Sequence, residues 1–245
     1  MIKRTEAIVL KNTPFADADL IVTYLTRKYG LMKAFAKSPK KIKSRFGSSL
    51  EPLTYSNISF FGKEETPLPR LTQSDIIRPF QSLREDFIYL MQIYEMIELC
   101  LAFLPEREPD EENFELLLNA LLRLEGKCNQ KICSLYYKLN FLDIAGLLPG
   151  LEVCGRCGKA QNSSKYHRFY IADGSIICGN CYKNEKDSII LSESSLRFCR
   201  SILKWNYKTI DRIKAPEYLI SELTGIINSH INNVISSRAI YHKPP

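Results

Sequence analysis

Long apolar runs are missing from this 245-residue sequence, and none approaches the roughly 20 residues that a membrane span requires. Catalytic signatures are missing as well. There is no phosphate-cradling glycine loop, no nucleophile elbow and no H-E-x-x-H. Asp17 and Asp19 form a D-x-D, but so short a pair is common at strand entries and weak as a metal site. No internal repeat or low-complexity tract is present. The opening MIKRTEAIVLKN places charges on both sides of a very short apolar core, which does not fit a secretion signal. A cytosolic protein is expected, with its eight cysteines reduced or metal-bound and not disulfide-linked. Together these absences point away from enzymes and toward a binding and remodelling factor.

Acid is also missing, from one place in particular. Between Asp19 and Glu51 there is no Asp or Glu, while Arg27–Arg45 alone holds eight Lys and Arg. Apolar residues alternate through this stretch at strand spacing, so an ordered basic surface is expected, of the kind that faces a polyanion. A solvated lysine-rich loop is the plainer reading of the same composition. The net charge of +7 is uneven across the chain. Residues 1–80 carry 14 Lys/Arg against 7 Asp/Glu, residues 81–150 carry 6 against 12, and residues 151–245 carry 14 against 8. Two basic segments therefore enclose an acidic one.

The fold class read from the pattern is α+β. From Thr5 to Arg78, short runs rich in β-branched and aromatic residues (Ala7–Leu10, Leu20–Thr26, Leu31–Lys37, Leu53–Phe61, Leu71–Ile77) are separated by Gly, Pro and Asn. A small β-barrel of the OB-fold type over residues 1–80 fits them, since closure removes exposed strand edges. Along Leu31–Lys37, Met32, Ala34 and Ala36 share one face, and Lys33, Phe35 and Lys37 share the other. Small residues suit a barrel interior. That leaves Phe35 between two cations outside, either as a platform for a base with lysines on the phosphates, or as ordinary core beneath a neighbouring loop. Ser38–Ser49 reads as a long loop containing Lys40, Lys41, Lys43 and Arg45.

A helical domain is expected over residues 81–245. Ser82 and Glu85 read as a capping box opening a helix that runs to Pro105 with Leu83, Phe87, Leu90, Tyr94, Ile97, Leu101 and Leu104 inward. Further helices are expected over Asp110–Glu125, Gln130–Ala145, Ser192–Asn206 and Pro216–Ser237. Their acids read as caps and solvated faces.

A zinc-ribbon insertion is expected at residues 151–185. Cys154, Cys157, Cys178 and Cys181 make C-x2-C-x20-C-x2-C, a specific signal for a tetrahedral zinc site. Each C-x-x-C turn brings two thiolates to one ion, and a glycine in each turn eases the backbone. Tyr166–Ile177 reads as a hairpin turning at Ala172-Asp173-Gly174. Four thiolates leave no open coordination position, so one structural zinc ion is expected. His167 is either a spare ligand or a structural residue. Lys159, Lys165, Arg168 and Lys183 could touch nucleic acid or simply charge the surface.

The run TEAIVLKNTPFADADLIVTYLTRKYGLMKAFAKSPKKIKSRFGSSLEPLTY resembles the opening of the RecO family of bacterial recombination mediators. So do LNFLDIAGLLPGLEVCGRCGK and ADGSIICGNC, in the same order along the chain. The family pattern has glycine where this chain has Ser38, and commonly an acid where it has Ala16. The resemblance implies an OB-fold, a helical domain and a zinc module. It also implies binding of single- and double-stranded DNA, strand annealing, and help in loading RecA onto strands coated by single-stranded DNA-binding protein (SSB). The implied partners are RecR and the acidic tail of SSB, and the implied location is the bacterial cytoplasm, at the nucleoid. Lys37, Lys40, Lys41, Lys43 and Arg45 fall in the loop that would contact DNA, beside Lys33 and Phe35. The residues alone leave a second reading open, a zinc-ribbon barrel protein of transcription or translation that binds RNA.

Overall fold

A computed structural model describes residues 1–39, 45–62, 66–160, 166–183 and 187–241, with only the helical backbone for 238–241. Two compact units divide the chain, Met1–Cys128 and Asn129–Pro245. The sequence reading set its boundary at residue 80; the first compact unit also takes in the three helices that follow the strands.

The first unit is built on five strands, β1 (Ile2–Phe15), β2 (Asp19–Thr26), β3 (Gly30–Ala36), β4 (Tyr55–Phe61) and β5 (Arg70–Arg78). They pair in the cyclic order β1-β2-β3-β5-β4 and close into a barrel. Closure is slender. Every pairing is antiparallel and extended except that of β3 with β5, a parallel contact at Phe35 and Arg70 alone. The first strand is far longer than its apolar run, because Lys11–Phe15 pairs with the start of β2 after an irregularity past Val9. Backbone pairing there outweighs a polar composition that reads as loop. The interior is filled as alternation dictates: Met32, Ala34 and Ala36 are buried with Val9, Val22, Tyr24, Ile58 and Leu71, and a one-turn 3-10 helix at Gly47–Leu50 adds Leu50.

Both departures from the family pattern lie at left-handed backbone positions. Ala16 has φ +56° and Ser38 φ +54°, where glycine, or for the first an aspartate, sits with least strain. Asp19 holds the second turn, its Oδ1 accepting the Ser38 N–H at 2.6 Å. A left-handed non-glycine residue costs about 1–2 kcal/mol, and glycine returns part of that as unfolded-state freedom. Ser38→Gly is therefore expected to stabilise the chain by about 0.5–1 kcal/mol. A urea midpoint that fails to rise would show the turn to be relaxed.

The expected first helix is two. α1 (Gln81–Glu85) follows Phe80, and α2 (Phe87–Phe103) starts afresh from Asp86. The capping box does not form. Asp86 caps α2 in its place, accepting from the N–H groups of Ile88 and Tyr89. The new start turns the helix: Ile93, Met96, Ile97, Cys100 and Phe103 are buried, while Phe87 and Tyr94, assigned inward by periodicity, are 73% and 59% exposed. α2 is apolar nearly all round, so spacing alone could not choose a face. α3 (Glu111–Glu125) has Asp110 as its cap and its acids in the first turn, as expected.

The second unit holds α4 (Gln130–Ile144), a three-stranded sheet in the order β7-β6-β8, and α5 to α7. The strands are β6 (Tyr166–Tyr170), β7 (Ser175–Ile177) and β8 (Ser188–Ser192). The helices are α5 (Glu193–Lys204), α6 (Tyr207–Ile210) and α7 (Glu217–Tyr241). Ile132, Leu135, Tyr136, Leu139 and Leu142, spaced to share one face of α4, are all buried. No helix of the described residues is long and apolar enough to cross a membrane.

Candidate metal centre and nucleic-acid interface

The expected hairpin forms as β6 and β7, with Gly174 at φ +59° in its turn. It lies against the first cysteine knuckle. Gly155 donates its N–H to Ile176 O at 3.0 Å, and a Cβ on Gly155 would sit 1.9 Å from Ser175 Oγ. Close approach is therefore why Gly155 is glycine. Gly179, in the second knuckle, has open space around it, and the glycine with positive φ is Gly158, just past Cys157. The expected need for a glycine inside each turn holds for the first turn only.

The four thiol sulfurs of Cys154, Cys157, Cys178 and Cys181 lie within 4.8 Å of one another. Cys157 Sγ and Cys178 Sγ are 3.6 Å apart, close to the edge of about 3.8 Å of a tetrahedron with zinc–sulfur bonds of about 2.3 Å. That is far too long for a disulfide. Burial opposes ionisation of Cys154, but N–H groups of Cys178, Cys157 and Arg156 directed at its sulfur outweigh it and bring the thiol down to about 6. Hydrogen bonds that the Cys181 thiol donates to Cys178 and Cys157 hold its proton and push it up to about 12. A cation replacing that proton resolves the conflict, and this donor set fits a thiophilic, four-coordinate ion. The four cysteines can hold a metal ion.

Arg156 ties the cluster together. Its Nε donates to Asp173 Oδ2 at 3.0 Å in the hairpin turn, and its Nη1 donates to Cys181 O at 3.2 Å in the other knuckle. His167 stands apart from the cluster. It is buried on β6 with Nε2 2.8 Å from Glu193 Oε2, at the start of α5. The strand β8, absent from the sequence reading, brings α5 there by pairing with β6. Arg197 and His167 hold the Glu193 carboxyl below the usual range despite its partial burial.

On the barrel, Lys33, Phe35 and Lys37 point outward as the alternation requires. Phe35 is half-buried, its ring edge-on to the exposed Phe15 at 5.8 Å. Phe15 has no partner in its own segment and was not legible in the sequence. Lys33 is not free: Nζ lies 2.5 Å from Glu106 Oε1. The pair is exposed on both sides, and such pairs are worth about 0–1 kcal/mol, so a phosphate could displace the carboxylate. Lys37 is exposed and has no carboxylate partner among the described residues. Arg45 is exposed, its guanidinium 4.9 Å from the centre of the Phe46 ring and donating to Leu71 O at 3.4 Å. Lys40, Lys41 and Lys43 lie outside the described residues.

Arg27, at the head of the basic stretch, serves the fold. It pairs with Glu6 at 2.9 Å, Glu111 at 2.8 Å and Glu115 at 2.5 Å, and its guanidinium lies 4.7 Å from the Phe114 ring centre. A residue so enclosed by carboxylates joins α3 to the barrel and is withdrawn from any polyanion.

Two family models match the chain, Recombination protein O N terminal over residues 1–80 and Recombination protein O C terminal over residues 84–239. The chain belongs to the RecO family. A DNA repair protein RecO from Thermodesulfovibrio yellowstonii is 44% identical, covering 94% of this chain and 92% of that relative. A RecO from Dehalococcoides mccartyi is 30% identical over 95% of this chain and 90% of its own length, and one from Bacillus pumilus 27% over 94% and 88%. The α+β architecture of this chain, with an OB-like barrel, a helical part and a cysteine quartet, agrees with what the resemblance implied.

Proposed function

We propose that the chain is a recombination mediator that binds single- and double-stranded DNA, anneals complementary strands, and helps RecR load RecA onto SSB-coated single strands. The observation that carries this reading is the outward face of the barrel, where Lys37 and Arg45 are both exposed at the two ends of the acid-free loop, beside Phe35 and Phe15. Lys33, Lys37, Lys40, Lys41, Lys43 and Arg45 neutralise phosphates, and the aromatics take the faces of bases while leaving their pairing edges free. Neutralising two strands at once lowers their repulsion enough for them to pair. No covalent step is required, so the chain acts without catalysis, in the bacterial cytoplasm at the nucleoid. In functional terms residues 1–80 bind DNA and residues 81–245 recruit partners.

Cys154, Cys157, Cys178 and Cys181 hold one structural zinc ion in this reading, which cross-links two knuckles and leaves no position for chemistry. The SSB tail, acidic and partly apolar, fits a groove of about 400 Å³ in the first unit. Leu90, Ile93, Tyr94 and Ile97 of α2 line it, Lys11 and Arg84 supply cations, and Glu98 is the one acid among the described lining residues. Leu90 and Tyr94 on the exposed side of α2, with the buried Ile93 and Ile97 behind them, make this groove apolar. Arg84 is steadied from below, donating to Pro52 O at 3.0 Å and pairing with Glu51 at 3.3 Å.

A strand-annealing assay on SSB-coated DNA tests the whole. The chain is expected to accelerate annealing, and an SSB lacking its acidic tail is expected to lower the rate on coated DNA about tenfold while leaving bare DNA unaffected. No acceleration on bare DNA at low salt would remove the mediator reading. Preference for duplex RNA over single-stranded DNA in the same buffer would favour the RNA-binding alternative.

A further inference from the structure

Between Glu193 and Glu217 the second unit carries six Lys and Arg against one acid, Asp211. Two of the six serve the fold. Arg197 pairs with Glu193 at 2.9 Å, and Arg200 donates to Leu151 O at 3.2 Å. The other four, Lys204, Lys208, Arg212 and Lys214, are exposed, and none meets a carboxylate among the described residues. Helix ends account for part of this charge, since a cation in a last turn offsets the helix dipole, and Lys204 and Lys208 stand in such turns. Arg212 and Lys214 lie beyond both helices and have no such duty.

The backbone keeps these cations together. After Asn206 the chain winds tightly. The N–H groups of Ile210 and Asp211 donate to Asn206 O and Tyr207 O at 3.2 Å, and those of Arg212 and Ile213 to Thr209 O at 3.1 Å and Ile210 O at 3.2 Å. Lys208 and Arg212, four residues apart, therefore share one side of the winding. The apolar groups of the segment turn the other way. Ile202 and Ile210 are buried, Trp205 stands edge-on to Phe198 with ring centres 6.0 Å apart, and the Tyr207 ring lies 4.8 Å from that of Tyr136. Tyr136 also donates its hydroxyl to Trp205 O at 3.2 Å. The cations thus ride on a segment braced from beneath.

An acidic peptide draws affinity from apolar anchors as well as charge, whereas a phosphate backbone is held by charge alone. A surface that presents cations and turns its rings inward suits the second. We propose that Lys204, Lys208, Arg212 and Lys214 form a second strand-binding site, holding the phosphates of one DNA strand while the barrel loop holds the other. The site rests on the DNA-binding reading and deepens it, because annealing needs two strands on one chain and the barrel face grips one. It reads charge and no bases, so it is indifferent to sequence. The second unit then carries DNA in addition to recruiting partners.

Titrating the full chain with a short all-thymine oligonucleotide at low salt counts the sites, since thymine strands do not pair with one another. Two oligonucleotides per chain are expected. A Lys204→Gln/Lys208→Gln/Arg212→Gln/Lys214→Gln variant should bind one, and should anneal complementary bare strands about tenfold more slowly. Its melting transition and zinc content should match wild type, because all four side chains are exposed. The oligonucleotide on this site should dissociate with a log–log salt slope of roughly −3, as about four phosphate contacts on a single strand require. The milder Lys208→Gln/Arg212→Gln pair should halve that slope. Replacing the three lysines by arginine keeps the charge and should leave both sites intact. A folded quadruple variant that still binds two oligonucleotides and anneals as wild type overturns the site and spares the barrel loop. If that variant keeps both oligonucleotides but loses an SSB-tail peptide that wild type binds, the surface belongs to an acidic peptide and the proposal is likewise overturned. A wild-type chain that binds no oligonucleotide removes the DNA reading, and the second site with it.

Discussion

Chain purified without chelator is expected to hold about one zinc ion, and Cys178→Ser to lower both the zinc content and the stability of the second unit severely. The reason is the shortage of other support. The knuckles carry little apolar side chain, and among their described residues only Cys154 and Leu151 are buried deeply. Structural zinc binding supplies about 10–16 kcal/mol in small zinc-binding peptides at neutral pH, comparable with the whole stability of a domain at about 5–15 kcal/mol. Loss of one thiolate takes away only part of that. Even so, at about 4–8 °C per kcal/mol for a small domain, a fall of more than about 10 °C in the melting transition is expected. The effect should extend beyond the knuckles. Gly155 and Gly150 are hydrogen-bonded to the hairpin, β6 pairs with β8, and β8 leads directly into α5. The Nε2–H of His230 on α7 donates to Leu147 O at 2.8 Å, and the ring packs under Gly174, where a Cβ would come within 2.9 Å of it. Metal analysis and thermal melts of wild type and Cys178→Ser, with Cys199→Ser as a buried control outside the cluster, decide the matter. Zinc well below one per chain, or a Cys178→Ser melt matching wild type, would end the structural-zinc reading.

Single-strand affinity should fall steeply with salt, with a log–log slope of roughly −4 if about six phosphates are contacted. Charge reversal at Lys40, Lys41 and Lys43 should bring that slope to about −2 and lower affinity by two orders of magnitude or more at low salt. The flanks make this expectation concrete. Lys37 and Arg45 are exposed at either end of the loop, whereas Arg27 and Lys33 are partnered by carboxylates and contribute less. Arg27→Ala should accordingly leave the slope alone, since its three acids already neutralise it. A folded Lys40/Lys41/Lys43 triple variant whose slope equals that of wild type would falsify the loop as the DNA contact.

How much was legible in advance differs from element to element. The interior of β3 could be read because a strand alternates strictly, so small residues at positions 32, 34 and 36 had to face one way. The positions read as the inward face of α4 are buried, but so are Cys133, Ser134, Tyr137, Lys138 and Phe141, so this helix is enclosed on more sides than its spacing indicated. The face of α2 was not legible, because an apolar residue stands at almost every position and burial is decided by what packs against it. β8 went unread since it is short, and its partner β6 lies about 20 residues earlier across a cysteine knuckle.

The candidate site divides in the same manner. Four cysteines at ribbon spacing announce a metal centre from the sequence alone, because the chemistry of one ion imposes that spacing on the chain. A cation's freedom is another matter. Arg27 and Lys37 look alike in a basic run, yet one meets carboxylates 84 and 88 residues away and the other meets none of the described residues. A pocket of about 380 Å³ in the first unit gathers Lys3, Tyr29, Phe60 and Arg107 from four separate segments, and only folding brings them together. What the sequence determined by itself was local: side-chain alternation, the start of α3 at Asp110 and the cysteine spacing. What the tertiary structure decided was which charges are already neutralised and which apolar groups stay uncovered, since both depend on partners that folding, and not proximity along the chain, selects.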